Sequence, residues 1–216
     1  MEAKIKVSVI VAVHNEERFI GRCLRSLIRQ DLDNSCFEII VVNDGSTDKT
    51  AYALDLFYGD INVVTHHENL GLPAAVNSGL DIARGEYIVR VDSDDYVNEH
   101  FLTILTTYLD FNEQCAAVSC DYFLIDQHEN FIKRESSTKN PIACGIIFRR
   151  ELIDDVGRMN EDFLLNEEKE FRRRFEKKYK IEHISIPLYR YRKHEGNMTN
   201  DLSKIKKYDE LLSSLD

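Results

Sequence analysis

The stretch EYIVRVDSDDYV, residues 86–97, sets three carboxylates, Asp92, Asp94 and Asp95, directly after an apolar run. Two unit charges about 4 Å apart repel by roughly 1 kcal/mol in water and roughly 4 kcal/mol at an effective dielectric of 20. A divalent cation would offset that repulsion, and so would helix capping with free solvation. Residues two apart in a strand face the same way, so Asp92 and Asp94 can converge on one ligand. Arg90 lies on that face too. It can balance their charge as a structural ion pair, the favoured reading, or contact a diphosphate. Asp95 then caps the helix expected near residue 98 or holds the loop. In VVNDGSTD, residues 41–48, Asn43, Asp44 and Gly45 suit a turn, and Ser46 or Thr47 suits a helix cap. The alternative role for Asp44 is to accept a hydrogen bond from the imide N–H of a uracil-like base.

These residues need elements to hold them. Residues 5–13, 37–43, 61–66 and 85–91 are short, β-branched-rich runs that suit strands buried on both faces. Between them, 16–30 repeats Phe19, Ile20, Cys23, Leu24, Leu27 and Ile28 at helical spacing, and 47–57 and 72–84 also read as helices. Alternating strands and helices predict an α/β fold with a mainly parallel sheet flanked by helices. Ligands of such sheets bind at the carboxyl ends of the strands. The polar clusters at 14–17, 43–48, 66–71 and 92–95 all fall there, although loops are polar in any protein. Later in the chain the pattern predicts a helix at 98–110, strands at 115–125 and 144–149, a helix at 166–179 and a strand at 181–190. A terminal amphipathic helix at 202–215 carries Leu202, Ile205, Tyr208, Leu212 and Leu215 on one stripe.

Composition narrows the classes. A formal charge of −10 over 216 residues argues against nucleic-acid binding, which needs a concentrated basic surface. Five scattered cysteines without a C-x-x-C pair read as reduced thiols, not a disulfide frame or zinc site. No run reaches the roughly 18 apolar residues of a membrane span, and the first apolar run is followed at once by polar residues. Cytoplasmic residence is expected. Lys204, Lys206 and Lys207 on the last helix leave peripheral contact with the inner face of a membrane open, alongside homodimerisation or simple packing.

Read together, VSVIVAVHNEERFIGRCLRSL, EIIVVNDGSTDKT, NLGLPAAVNSGLDIARGEYIVRVDSDD, NEEKEFRRRF and YRYRKHEGNMT resemble family 2 glycosyltransferases of GT-A fold. The resemblance covers roughly residues 5–200. It implies a Rossmann-like domain with a nucleotide-sugar-binding half (1–100), an acceptor and catalytic half (101–200) and a small C-terminal region (201–216). It further implies an inverting transfer from a nucleotide-sugar, here a UDP-sugar, to a carbohydrate or lipid-linked saccharide in surface-polysaccharide or glycolipid assembly, assisted by Mn²⁺ or Mg²⁺. Carried over, it places Val13, Glu17 and Asp44 around base and ribose, and Asn69, Gly71 and Asn77 near ribose and first phosphate. Asp92 and Ser93 go to the ribose or diphosphate, Asp94 to the metal, with Asp92 and His194 as further candidate ligands, and Arg192 to the diphosphate. Two departures stand out: Ala12 replaces a common proline, and Val76 replaces a basic residue.

In the family an acidic pair at the start of a late helix takes the acceptor proton, and here that pair is Glu167 and Glu168. At 100° per residue, Phe171, Phe175 and Tyr179 define the inward stripe, and Glu168 falls within it while Glu167 lies to the side. A desolvated acid there has its pKa raised toward a useful range, which makes Glu168 the expected base. Capping by Asn166, helix-dipole preference and a Glu170–Arg174 pair explain the same acids structurally. A metal-dependent phosphohydrolase would need its aspartate after the first strand, and a non-catalytic nucleotide-sugar binder would not need Glu168. The loops at 126–141 and 193–203, which would select sugar and acceptor, carry no recognisable code.

Overall fold

The computed structural model describes residues 4–197 together with Tyr208, Leu211 and Leu212. Strands β1 (Val7–Val13), β2 (Phe37–Asp44), β3 (Asn62–His66) and β4 (Tyr87–Arg90) lie parallel in the order β3-β2-β1-β4. Helices α1 (Ile20–Ile28), α2 (Thr50–Asp55) and α3 (Leu72–Ile82) connect them, as the alternation predicted. Past β4 the same sheet continues through β8 (Ile146–Arg149), β6 (Ala117–Asp126), β9 (Ile181–Lys193) and the two-residue β5 (Tyr96–Val97). Here β6 and β9 are parallel, whereas β8 runs antiparallel to both β4 and β6.

The period-two pattern sorts the core onto two faces. Val7, Val9 and Val11 pack with the α1 residues Ile20, Cys23, Leu24 and Leu27 and with α4 (Phe101–Phe111). Ile10, Ile40 and Ile88 point the other way, toward Ala75 of α3, Ile153 of α5 (Arg150–Val156) and Phe171 and Phe175 of α6 (Glu167–Glu176).

Three elements went unread in the sequence. The expected 126–141 loop contains β7 (Phe131–Glu135), which forms a hairpin with β6. Its FIKRE sequence mixes charge with exposed Phe131 and Ile132, the signature of a guarded edge strand. Strand β5 is too short to show a period, and α5 follows β8 without a break. All five cysteines are free thiols. No helix among the described residues is long and apolar enough to cross a membrane. Of the expected 202–215 helix, Tyr208, Leu211 and Leu212 are helical, and Tyr208 packs with Phe163 and Leu165. Leu202, Ile205, Leu215 and the three lysines lie outside the described residues.

Candidate active site

The carboxyl ends of β1, β2 and β4 meet as expected, and the loops between them are stitched by side chains. Asn15, held at φ 55°, accepts from Thr47 N–H at 2.8 Å. Glu17, expected at the base or ribose, instead accepts the Lys49 N–H at 2.7 Å. Asp48, not Ser46 or Thr47, receives the Thr50 amide at the start of α2. Val13 is 2% exposed and its side chain belongs to the core at the end of β1.

Asp44 is more occupied than expected. It is 3% exposed, and it accepts Leu70 N–H and Gly71 N–H, each at 2.9 Å, while His66 Nδ1 lies 2.7 Å away. A carboxylate so engaged anchors the 66–71 loop. Gly45 makes that anchorage possible: at φ 65° an added Cβ would sit 2.3 Å from the Glu68 carbonyl carbon. Asn69 accepts the Gly71 amide at 2.9 Å and Gly71 adopts φ 95° ahead of α3, so both build this loop. The Asn77 amide donates to Met159 O and Glu161 and accepts from Met159 N–H, which ties α3 to the 158–161 segment.

The DSDD turn is the electrostatic centre. Arg90, 12% exposed in its side chain, donates Nε to Asp92 Oδ1 at 2.7 Å and Nη1 to Glu167 Oε1 at 2.9 Å. The structural ion pair with Asp92 is therefore present, and its second partner is Glu167, not Asp94. Burial opposes the Arg90 charge, but Asp92 and Glu167 outweigh it and hold the guanidinium well above its usual pKa. Asp95 is 1% exposed and accepts the Arg192 N–H at 2.6 Å, so it ties the turn to β9 and does not cap α4. Burial, then Asp94 and Asp92, push its carboxyl well above the ordinary range. Ser93, 7% exposed, sits inside this turn.

Arg192 is buried against the DSDD turn. Its guanidinium is 2% exposed, 4.7 Å from the Phe19 ring centroid and 5.6 Å from that of Tyr96, and its Nε donates to the Asp94 carbonyl at 2.7 Å. Stacked and bonded there, it fixes the backbone of Asp94 from beneath. His194 follows two residues later, just past β9, and its Nε2 lies 2.9 Å from Asp94 Oδ2, with Asn197 Nδ2 donating to the same oxygen at 3.2 Å. The structure thus brings two of the three predicted metal ligands, Asp94 and His194, together, while Asp92 is paired with Arg90.

Across the site, α6 reverses the expected order of burial in the acid pair. Glu167 is the buried member at 2% exposed, and Glu168 is half-buried. The helical stripe pointed at Glu168, but Arg90 rises from β4 against the other flank of the helix and draws Glu167 in. Burial pushes Glu167 up to about 7, with Arg90 pulling it down and Glu168 pushing it up. The Glu170–Arg174 pair forms as expected, at 2.6 Å. Asn166 enters the helix at φ 62°.

Two participants carried no assigned role in the sequence, although Glu16 lies in the 14–17 polar cluster. Glu16 faces the turn, and its carboxyl is raised to about 7 by burial and then by Asp94. Cys144, 2% exposed, places its thiol 3.3 Å from Asp92 Oδ2, and Asp92, Asp95 and Cys144 present ligand atoms within 4.8 Å of one another. Cys144 arrives from a distant segment, so no local motif marks it.

An α/β sheet with an Asp-x-Asp turn at the end of β4 and a facing acid pair on α6 defines a protein of the GT-A class. The chain belongs to glycosyl transferase family 2, whose model matches residues 8–194. It is 28% identical to glycosyltransferase GlyA of Streptococcus pneumoniae over 90% of this chain and 31% of the relative. Over 45% of the chain and 16% of the relative it is 39% identical to a poly(ribitol-phosphate) beta-glucosyltransferase of Bacillus spizizenii. Its fold matches the crystal structure of S. aureus TarS residues 1–349 in complex with UDP-GlcNAc at TM-score 0.78 and 26% identity. That match covers 91% of this chain and 61% of the other. The chain thus spans under two thirds of the proteins it matches.

Proposed function

We propose that this chain is the transferase module of an inverting, metal-dependent glycosyltransferase that acts in the cytoplasm in surface-polysaccharide or glycolipid assembly. It moves a sugar from a UDP-sugar to a hydroxyl of a saccharide acceptor. The observation that carries this reading is the chain of contacts that joins both ends of the reaction: His194 to Asp94, and Asp92 through Arg90 to the acid pair. The named activity of the poly(ribitol-phosphate) beta-glucosyltransferase, the UDP-GlcNAc complex of TarS and five free thiols suited to a reducing compartment support it.

Asp94, Asp92 and His194 would hold Mn²⁺ or Mg²⁺. Carboxylate oxygens suit either hard cation and an imidazole is admissible for Mn²⁺, whereas the buried Cys144 thiol is a poor ligand for both. When bound, the cation neutralises charge that builds on the departing diphosphate. Glu168 accepts the proton of the acceptor hydroxyl. That oxygen bonds to the anomeric carbon from the face opposite the diphosphate, and the bond from the anomeric carbon to the phosphate oxygen breaks, releasing UDP. Glu167, locked to Arg90, sets the start of α6 and leaves Glu168 as the acid available to the acceptor. Arg192 and Asp95 keep the metal-side turn rigid from below.

A panel of nucleotide-sugars, assayed with and without Mn²⁺ for hydrolysis and transfer, tests the reading. UDP-sugars are turned over only with metal, and Glu168→Gln abolishes transfer while UDP still binds. Near-normal turnover by that variant removes the base assignment, and failure of every nucleotide-sugar to bind with metal removes the whole reading.

A further inference from the structure

Arg192 carries a cation into the interior, and a buried charge is costly unless a counter-charge and hydrogen bonds meet it. Its Nε serves the Asp94 carbonyl, and Nη1 reaches the Gln127 carbonyl at 3.4 Å. Carbonyls satisfy donors but bring no net charge. Asp95 takes the Arg192 backbone N–H, not the guanidinium. Among the described residues, Glu129 is the only carboxylate in ion-pair contact with that guanidinium, its Oε1 3.3 Å from Nη2.

Glu129 belongs to the turn between β6 and β7, and the turn is built to present it. Asp126 Oδ1 accepts the His128 and Asn130 amides at 2.8 and 2.9 Å, and Glu129 itself sits at φ 66°. That left-handed region suits glycine or asparagine and strains a longer side chain. Asn130 stands one position further on, yet the strained position carries the acid. Arg22 of α1 shares the carboxylate from the solvent side, its Nε donating to both oxygens at 3.2 and 3.3 Å. On the inner side the Phe19 ring links Arg192 to the metal ligands, with its centroid 4.7 Å from the guanidinium and 4.9 Å from that of the His194 ring. We propose that Glu129 is a positioning residue of the metal side: its carboxylate keeps the Arg192 guanidinium seated between Phe19 and the Asp94 carbonyl, and so sets Asp94 and His194 for the metal–diphosphate. This rests on the transferase reading above and adds a residue that acts on the site through Arg192.

The test uses this chain and two substitutions of the same residue. Glu129→Gln keeps the length and removes the charge, whereas Glu129→Asn removes the charge and relieves the backbone. Both weaken Mn²⁺-dependent UDP binding at least fivefold in calorimetry and leave metal-free UDP binding within twofold. Both also speed deuterium exchange of the 92–95 amides at least threefold in the unliganded protein. Glu129→Asn does this with a Tm at or above that of wild type, which a merely structural acid would not show. Arg22→Gln, which removes the other partner of the carboxylate, leaves Mn²⁺-dependent binding within twofold. Glu129 variants with wild-type metal-dependent binding, or with unchanged exchange at 92–95, overturn the proposal. So does an Arg22→Gln variant that reproduces the loss, because the acid then acts through α1. Failure of the wild-type protein to bind UDP with Mn²⁺ removes the transferase reading and the proposal with it, whereas retained binding in the variants removes the proposal alone.

Discussion

Replacing Arg90 by methionine keeps most of the aliphatic stem and removes the charge that joins Asp92 to Glu167. The wild-type guanidinium makes two charge-assisted hydrogen bonds, at 2.7 and 2.9 Å. Such bonds contribute about 1.5–3 kcal/mol each. The side chain of Asp92 is 25% exposed and regains part of its loss from water, but that of Glu167 is 3% exposed and does not. Breaking a buried pair costs about 3–5 kcal/mol, because one charge stays uncompensated. Glu167 can escape by taking a proton, since its pKa is already raised to about 7. The cost of Arg90→Met is therefore about 3–5 kcal/mol at pH 8 and smaller at pH 6. Urea denaturation of wild type, Arg90→Met, Glu167→Gln and the double variant at both pH values measures it. The double variant should be more stable than the sum of the singles implies, by about 1–3 kcal/mol. A single-variant loss below about 1 kcal/mol at pH 8, or strict additivity, would refute the assignment of Arg90 as the counter-charge of both acids.

Three further outcomes follow from the same geometry. Glu167 is protonated more readily in the folded protein than in the unfolded chain, so its contribution is full below pH 4.5 and is lost as pH rises through about 7. Its shift corresponds to about 3 kcal/mol, and Glu167→Gln should flatten that part of the stability–pH curve in chemical denaturation, leaving the slope due to Glu16 and Asp95. His194→Ala removes the imidazole from Asp94 and should weaken Mn²⁺-dependent UDP binding by about tenfold or more in calorimetry, while metal-free binding changes little. Gly45→Ala forces a side chain onto the Glu68 backbone at positive φ and should cost at least about 2–3 kcal/mol, a Tm loss of about 5–10 °C. An unchanged Tm would mean that the 66–71 loop does not rest on Asp44 and Gly45.

The sequence determined the frame. Strands at 7–13, 37–44, 62–66 and 87–90 were legible because strands of this parallel half, rich in β-branched residues and mostly buried on both faces, alternate with helices of another period. The turn at 92–95 was legible for a related reason: polar residues at the carboxyl ends of such strands share one edge of the sheet. Arg90 as a counter-ion could be inferred because two-residue periodicity puts it on the face of Asp92.

Side-chain commitments were not legible. Asp44, Asn77 and Arg192 carry the residue types of ligand contacts, but spacing cannot say that Gly71, Met159 and Phe19 reach them first. The acid pair shows the limit most plainly. A helical wheel orders Glu167 and Glu168 by angle alone, and only the packing of α6 against β4 supplies the Arg90 guanidinium that buries the off-stripe member. Local periodicity fixes which way a residue points. Tertiary structure decides what it meets there, because the partners come from distant segments, as His194 does for Asp94, 100 residues away.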